Sequence, residues 1–134
     1  MIITTKGKYA LLFLVDIAKY KESGFVSLND VSRRINVSKK YLEQIIPLLN
    51  KSGFIFSNRG FRGGYRLALA PSKITVLDVL TAVENSFLKN SENEFSKINF
   101  IFEGLNSTVK EYLSKITIQD ITDMENEGYY NYVI

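Results

Sequence analysis

The side chains of this chain that are best suited to binding chemistry are cations, and they gather at two places in the sequence. Lys39 and Lys40 follow Ser38, and Arg59 and Arg62 lie in a glycine-rich segment. Ammonium and guanidinium groups form charge-assisted hydrogen bonds with phosphates and carboxylates. The two groups therefore indicate contact with an anionic partner, with a solvated basic face as the alternative.

The distribution of charge along the chain bears on the same question. The 134 residues carry a net charge of only +3. Residues 1–73, however, hold 13 basic and four acidic side chains, a balance of +9, whereas residues 74–134 hold four and ten, a balance of −6. This asymmetry favours an anionic partner for the first half alone.

Two missing residue types exclude several kinds of site. Without His or Cys, the chain cannot form a Ser-His-Asp or Cys-His nucleophile, a Cys/His zinc site, a haem His ligand or a Cys-bound iron–sulfur cluster. The acidic residues near the end do not fit a calcium loop, which requires a glycine and a distal bidentate Glu. They are Asp120, Asp123, Glu125 and Glu127. We therefore expect no catalysis, no metal and no cofactor.

The apolar run from Tyr9 to Val15 is too short to be a membrane or export segment. Asp16 ends it after seven residues, and no small-residue cleavage pattern follows. A membrane-spanning helix needs about 20 apolar residues. We expect a cytoplasmic protein with no membrane partner.

Three helices are predicted before residue 53. The segment from Thr5 to about Tyr20 is apolar almost all round, so it must be covered on several sides, which is difficult in a small monomer. Ser27 and Ser38 are typical N-caps for a short second helix and for a third. Pro47 is expected to kink the third helix or to loosen it early. The buried stripe of the third helix follows i, i+3, i+4, i+7 spacing and consists of Leu42, Ile45, Ile46 and Leu49.

A β-hairpin and two more capped helices are predicted further along. Residues 54–58 and 65–69 are β-prone and flank a connection with three glycines, which allow a tight turn. Thr75 opens a helix that runs to about Glu84, and Thr117 opens a last short helix.

Between those two helices lies a heptad pattern. Its apolar residues step alternately by three and four over three heptads, which is typical of two helices that pack side by side. They are Phe95, Ile98, Phe102, Leu105, Val109, Tyr112 and Ile116. Together with the apolar first helix, this pattern predicts a homodimer, and a long helix that folds back on its own domain is the alternative.

The order of the elements is typical of a winged helix-turn-helix, in which the second helix of the pair enters the major groove of DNA. Arg33 and Arg34 end the first helix of that pair, close to the other cations in the sequence. We predict a mainly α-helical chain with a small β-hairpin wing. Its parts are a winged helix-turn-helix domain (1–85), a linker (86–94), a dimerisation helix (95–116) and a short helix with a C-terminal tail (117–134). A winged helix that binds only proteins is the alternative.

Three separated motifs make the resemblance specific. They are TTKGKYA at residues 4–10, KYLEQ at residues 40–44, and Arg59-Gly60 followed by GGYRL at residues 63–67. In this order they closely resemble the Rrf-two family of bacterial repressors, over residues 1 to about 85. The resemblance implies a homodimeric winged helix-turn-helix regulator of transcription whose long C-terminal helices cross between subunits.

The resemblance also implies roles for single residues. The family's base-reading positions fall on Glu43 and Gln44, and Gln pairs bidentately with adenine while Glu accepts from the cytosine amino group. The wing arginine that enters the minor groove falls on Arg59. Phosphate contacts are assigned to Lys6, Lys8, Ser38, Lys39, Tyr41 and Arg62. Packing beneath the helix and hairpin is an equal alternative for Tyr41 and Tyr65.

The absence of cysteine separates this chain from the metal-sensing and redox-sensing members of the family, which carry three cysteines in and after the linker. The aromatic end of the chain is similar to that of a cluster-free branch, which works with O-acetylserine sulfhydrylase in cysteine metabolism. This similarity implies that Tyr132, Val133 and Ile134 bind that enzyme, with the terminal carboxylate as a substrate mimic. Packing of the tail on the dimer core and control by a different small ligand are the alternatives.

Overall fold

A computed structural model describes residues 3–84, 87–88 and 96–126. This part of the chain forms six α-helices and an antiparallel hairpin. The helices are α1 (Thr5–Lys19), α2 (Leu28–Ile35), α3 (Lys39–Lys51), α4 (Val76–Val83), α5 (Ser96–Ser114) and α6 (Ile118–Asn126). The strands are β1 (Ile55–Asn58) and β2 (Gly64–Leu67), with Ile55 opposite Leu67 and Asn58 opposite Gly64. The predicted mainly α-helical fold with a hairpin wing is confirmed.

The predicted N-caps start the helices that the sequence assigns to them. Ser27 Oγ accepts from the Asp30 backbone N–H at 3.1 Å, and Ser38 Oγ accepts from the Tyr41 N–H at 3.1 Å. Thr75 forms a capping box that opens α4, and Thr117 opens α6 in the same way. Each cap pairs a backbone N–H group that the first turn of a helix leaves without a partner.

α1 is the centre of the core. Phe13, Leu14 and Ile17 are completely buried, and α1 packs against α2, α3, α4, α6 and β2. The cover that this apolar helix requires therefore comes from its own chain. The all-round apolar character of α1 thus gives no independent support to dimerisation.

α3 does not loosen at Pro47 and continues to Lys51. Pro47 lies on the exposed side of the helix, where water can replace the hydrogen bond that its missing N–H would have donated. The opposite side holds the predicted stripe of Leu42, Ile45, Ile46 and Leu49, all of which are buried. Packing of this stripe keeps the helix in place despite the proline.

α6 returns to the core around α1. Ile118 is completely buried beside α1, and its backbone N–H donates to the Ile74 carbonyl at 2.9 Å. The Val76 N–H donates to the Ile116 carbonyl at 2.8 Å. These hydrogen bonds join the start of α4 to the start of α6 and fix the end of α5 between them.

The two halves of α5 have different surroundings. Near its C-terminal end, Val109 and Leu113 pack against Val76, Leu80 and Phe87. Further toward its start, the apolar side chains of Ile98, Ile101, Phe102 and Leu105 remain between 46% and 65% exposed. Phe95 and the tail residues Tyr132, Val133 and Ile134 lie outside the described residues. Within the described ranges, no helix is long and apolar enough to cross a membrane.

Candidate nucleic-acid interface

The buried stripe of α3 determines which side chains the helix presents to solvent. Because the stripe faces the core, Lys39, Lys40, Glu43 and Gln44 all lie on the exposed side. Four neighbouring polar side chains on the first turns of a helix can reach into a DNA groove. The structure therefore brings both predicted base-reading residues and a predicted phosphate contact onto one surface.

The turn between α2 and α3 is closely fixed. Asn36 ends α2 with φ of 57°, in the left-handed region that Asn tolerates better than most residues. The Ser32 hydroxyl donates to the Val37 carbonyl at 2.6 Å, and Ser38 then caps α3. This turn holds the N-terminus of α3, whose free N–H groups and partial positive charge favour a phosphate.

Tyr41 contacts the first helix. Its hydroxyl lies 3.0 Å from Thr5 Oγ1, and its ring meets the Tyr9 ring edge-on at 5.1 Å. These contacts support the packing alternative for Tyr41. They also link the start of α3 to the start of α1, where the half-buried Lys6 and the exposed Lys8 lie.

Glu84 is a site residue that sequence reasoning missed. Its Oε1 accepts from the Thr4 N–H at 2.9 Å, the Thr4 hydroxyl at 2.8 Å and the Gly7 N–H at 3.0 Å, although the residue is only 8% exposed. A carboxylate at this position stabilises the positive end of the α1 dipole. A Cβ on Gly7 would approach Glu84 Oε1 to 2.7 Å, so a larger residue here would displace the Glu84 carboxylate. Glu84 thereby fixes the turn of α1 that carries Lys6 and Lys8.

The hairpin is attached to the segment that precedes α2. Val26 and Tyr65 exchange two backbone hydrogen bonds of 2.8 Å, and the Tyr65 ring packs on Phe13 at 5.7 Å. Gly64 lies so close to Val26 that a Cβ there would come within 2.2 Å of the Val26 carbonyl oxygen. The packing alternative for Tyr65 is therefore supported, and the hairpin holds Arg59 and Arg62 exposed at its far end.

The two arginines that end α2 differ in how firmly contacts within the chain hold their guanidinium groups. Arg34 donates to both oxygens of the buried Asp16, at 3.0 and 2.8 Å, and its guanidinium lies 3.9 Å from the Tyr20 ring centre. The hydrogen bond to Asp16 raises the pKa of Arg34 above its ordinary value. Arg33 only pairs with the exposed Asp30 on its own helix. Arg34 is therefore held against the buried Asp16 at the edge of the core, although the sequence places it beside the basic face.

Two observations bear on possible metal ligands, namely the composition of the chain and the placement of its acidic side chains in the described residues. The sequence holds no Cys and no His. In the part of the chain that the structure describes, no group of three or more acidic, His or Cys side chains could hold a metal ion. Because iron–sulfur clusters are held by Cys thiolates, the residues present do not fit such a cluster.

Comparison with known proteins gives the family. A family model described as "Rrf2: Iron-dependent Transcriptional regulator" matches residues 3–124. The chain belongs to the Rrf2 family. The resemblance that the three motifs indicate is thereby confirmed, and this Rrf2 protein is a transcriptional regulator with DNA as the partner of its family.

Individual relatives match this Rrf2 protein over most of their length. The helix-turn-helix transcriptional regulator CymR of Bacillus subtilis is 34% identical over 138 residues, which cover 99% of this chain and all of CymR. The regulator IscR of Cereibacter sphaeroides is 34% identical, covering 93% of this chain and 89% of its own. Both relatives are described as transcriptional regulators.

Solved structures of relatives share the fold. The structure of CymR, described as the global cysteine regulator of B. subtilis, has a TM-score of 0.81 at 31% identity, covering 92% of this chain and 97% of CymR. The structure of T. potens IscR has a TM-score of 0.82 at 33% identity, covering 96% and 90%. The fold of this Rrf2 protein is therefore that of the CymR and IscR regulators.

Proposed function

We propose that this Rrf2 protein is a homodimeric repressor that binds a specific DNA operator without an iron–sulfur cluster. The observation that carries the proposal is the exposed polar face of α3, with Lys39, Lys40, Glu43 and Gln44 on one side of the helix. Glu43 and Gln44 follow two lysines at the start of this helix, which sets base-reading groups beside a phosphate contact.

Base reading is assigned to Glu43 and Gln44. Both side chains are exposed on the outer face of α3, and they offer complementary hydrogen-bonding groups. The Gln amide both donates and accepts, as adenine requires, whereas the Glu carboxylate only accepts, as the cytosine amino group requires. An operator half-site read by this pair contains both bases.

The remaining cations position the protein on the duplex. Arg59 enters the minor groove, where a narrow groove concentrates negative potential. Phosphate contacts come from the N-terminus of α1 and of α3 and from the wing, and they give affinity without sequence information. Their members are Lys6, Lys8, Ser38, Lys39, Tyr41 and Arg62, with the Tyr41 hydroxyl accepting from the Thr5 hydroxyl so that its own O–H donates to a phosphate.

A second copy of the chain covers the first half of α5. The seam residues Val109 and Ile116 pack within the chain, but Ile98, Phe102 and Leu105 remain about half exposed. An exposed apolar row of this kind is a typical protein-binding surface, and its heptad spacing suits an identical helix. Dimerisation also supplies two α3 helices for two operator half-sites.

Control of the repressor is assigned to a protein partner. Thiol and cluster sensing need cysteine, which the chain lacks, and its relative CymR is described as a global cysteine regulator. We therefore assign this protein to cysteine and sulfur metabolism, in complex with O-acetylserine sulfhydrylase through Tyr132, Val133 and Ile134. The alternative is a different small ligand.

Selection of duplexes from a random-sequence library tests the DNA-binding part of the proposal. The full chain is expected to enrich an inverted repeat whose half-sites lie about one or more helical turns apart. Enrichment of no sequence contradicts operator binding.

Binding of purified O-acetylserine sulfhydrylase tests the partner separately. Deletion of Ile134 is expected to abolish the complex, whereas Arg59→Ala, which affects only the wing, is expected to leave it intact. Equal binding by the wild type and the Ile134 deletion contradicts the assigned tail contact.

A further inference from the structure

The tip of the wing carries an aromatic side chain that the roles assigned above do not use. Phe61 is 93% exposed, compared with 50% for Phe56 on the adjacent strand and 76% for Phe100 on α5. It stands between Arg59 and Arg62 in the sequence. A phenyl ring that stays in water is unfavourable unless a partner removes it from water.

The turn that carries Phe61 is fixed by its backbone. The Gly63 N–H donates to the Gly60 carbonyl at 2.9 Å, which places Phe61 and Arg62 at the two apical positions. A Cβ on Gly63 would come within 2.5 Å of the Asn58 carbonyl oxygen, so this position accepts only glycine. The ring of Phe61 is therefore held out from the hairpin by a closely defined turn.

Arg62 strengthens the case that this turn serves a purpose beyond connecting two strands. Its φ is 64°, in the left-handed region that favours glycine. Because glycine would suit the backbone of this turn better, the turn geometry does not explain why an arginine occupies the position. Its guanidinium lies 5.7 Å from the Phe61 ring centre, so an apolar ring and a positive charge share the tip.

We propose that Phe61 is a minor-groove wedge. The ring enters the minor groove beside the Arg59 guanidinium, inserts at a base-pair step and bends the duplex, while Arg62 contacts an adjacent phosphate. Apolar side chains between cations are the type of group that unstacks base steps in this groove. The proposal rests on the proposed DNA binding and adds a specificity-determining residue to it.

The wedge predicts a sequence preference at a position without hydrogen bonds to base edges. Pyrimidine–purine steps such as TpA unstack most easily. The step that meets the wing is therefore expected to be TpA or CpA within an A·T-rich stretch, since Arg59 favours a narrow groove.

The test uses the full chain and the duplex that the wild type enriches from a random library. Affinity is measured by fluorescence anisotropy, and bending by energy transfer between dyes at the two duplex ends. Phe61→Ala is expected to weaken binding about tenfold, the factor that corresponds to loss of one partly buried ring. It is also expected to reduce the bend and to abolish the preference for a pyrimidine–purine step.

Two further variants separate the wedge from other effects. Phe61→Leu keeps an apolar wedge and is expected to retain most of the bend. Phe100→Ala removes an exposed ring from α5 and is expected to bind and bend the duplex as the wild type does. Neither ring is buried, and Phe61 has an ordinary negative φ, so all three variants are expected to keep the wild-type Tm.

The outcomes distinguish this proposal from the proposed function. If the wild type enriches no duplex, operator binding fails and the wedge fails with it. If the wild type enriches a duplex and Phe61→Ala matches Phe100→Ala in affinity, bend and step preference, operator binding stands and the wedge is overturned.

Discussion

The core around α1 and the first half of α5 differ in how their apolar side chains are covered. Around α1, Phe13, Leu14 and Ile17 are completely buried by elements of the same chain. On α5, Phe102 and Leu105 stay about half exposed. Burial of one such side chain stabilises by about 1.5 to 3 kcal/mol. The core around α1 is thus covered within one chain, whereas the first half of α5 leaves its apolar row exposed, where we propose that a second chain packs.

A charge placed on the exposed apolar row of α5 tests whether a second chain covers that row. Phe102→Glu is expected to convert the dimer to a monomer, because a buried unpaired carboxylate is costly at the interface. Loss of paired half-site binding is expected to weaken operator affinity about 100-fold. Light scattering gives the mass, and fluorescence anisotropy gives the affinity.

Phe100→Glu is the matched control for that prediction. Phe100 is also exposed, but it lies two residues from the seam position Ile98 and therefore faces another side of the helix. The Phe100→Glu variant is therefore expected to remain dimeric. A monomer for both variants, or a dimer for both, contradicts the assignment of the seam.

The stability of the winged-helix core is expected to fall when the Asp16–Arg34 pair, which does not involve α5, is removed. Asp16→Ala removes the two hydrogen bonds that the buried carboxylate accepts from Arg34 and is expected to lower the free energy of unfolding by about 1.5 to 3 kcal/mol. Arg33→Ala removes the exposed pair with Asp30 and is expected to cost under about 1 kcal/mol. Urea unfolding measures both, and equal losses would show that the Asp16–Arg34 pair is not a core interaction.

Base contacts and phosphate contacts on the exposed side of α3 are expected to affect different quantities. Loss of a base contact lowers sequence specificity, whereas loss of a phosphate contact lowers affinity for every sequence. Gln44→Ala is expected to cost about 1 to 3 kcal/mol of discrimination at one base position. Lys39→Ala is expected to weaken all sequences alike and to reduce the salt slope by about one. Titrations of operator and random duplex at several salt concentrations provide the check, and identical behaviour of the two variants contradicts the groove assignment.

The smallest expected effect concerns the carboxylate beneath α1. Glu84→Gln keeps an acceptor for Thr4 and Gly7 but removes the charge at the helix N-terminus, so the free energy of unfolding is expected to fall by about 1 kcal/mol. Glu111→Gln removes an exposed α5 carboxylate that pairs with Lys115, the residue after the helix, and it is expected to change stability by under about 0.5 kcal/mol. Equal losses in thermal unfolding would contradict the role of Glu84.

Local patterns in the sequence predict the elements well. Ser27, Ser38 and Thr75 act through neighbours three residues away, so their capping motifs are visible in the sequence. The stripe of α3 and the glycines of the hairpin are equally local. Two of the three family motifs fall in α3 and the hairpin, and the third lies at the start of α1, which is why the family and the fold could be identified from local sequence.

Contacts between distant residues could not be predicted in the same way. Glu84 meets Thr4 across 80 residues, and Arg34 meets Asp16 across 18, with no periodicity to connect either pair. Composition places Arg34 on the basic face, but its hydrogen bonds to the buried Asp16 hold its guanidinium at the edge of the core. The exposure of Phe61 was also missed, because only the backbone of the turn determines where its ring lies.

The stoichiometry of the DNA complex tests the central claim most directly, namely that the open half of α5 joins two chains so that two α3 helices read one operator. Native mass spectrometry of the full chain with the enriched duplex gives the count. We predict two chains on one duplex that contains two inverted half-sites, and no stable complex with a single half-site. One chain bound as tightly to a single half-site would contradict the claim.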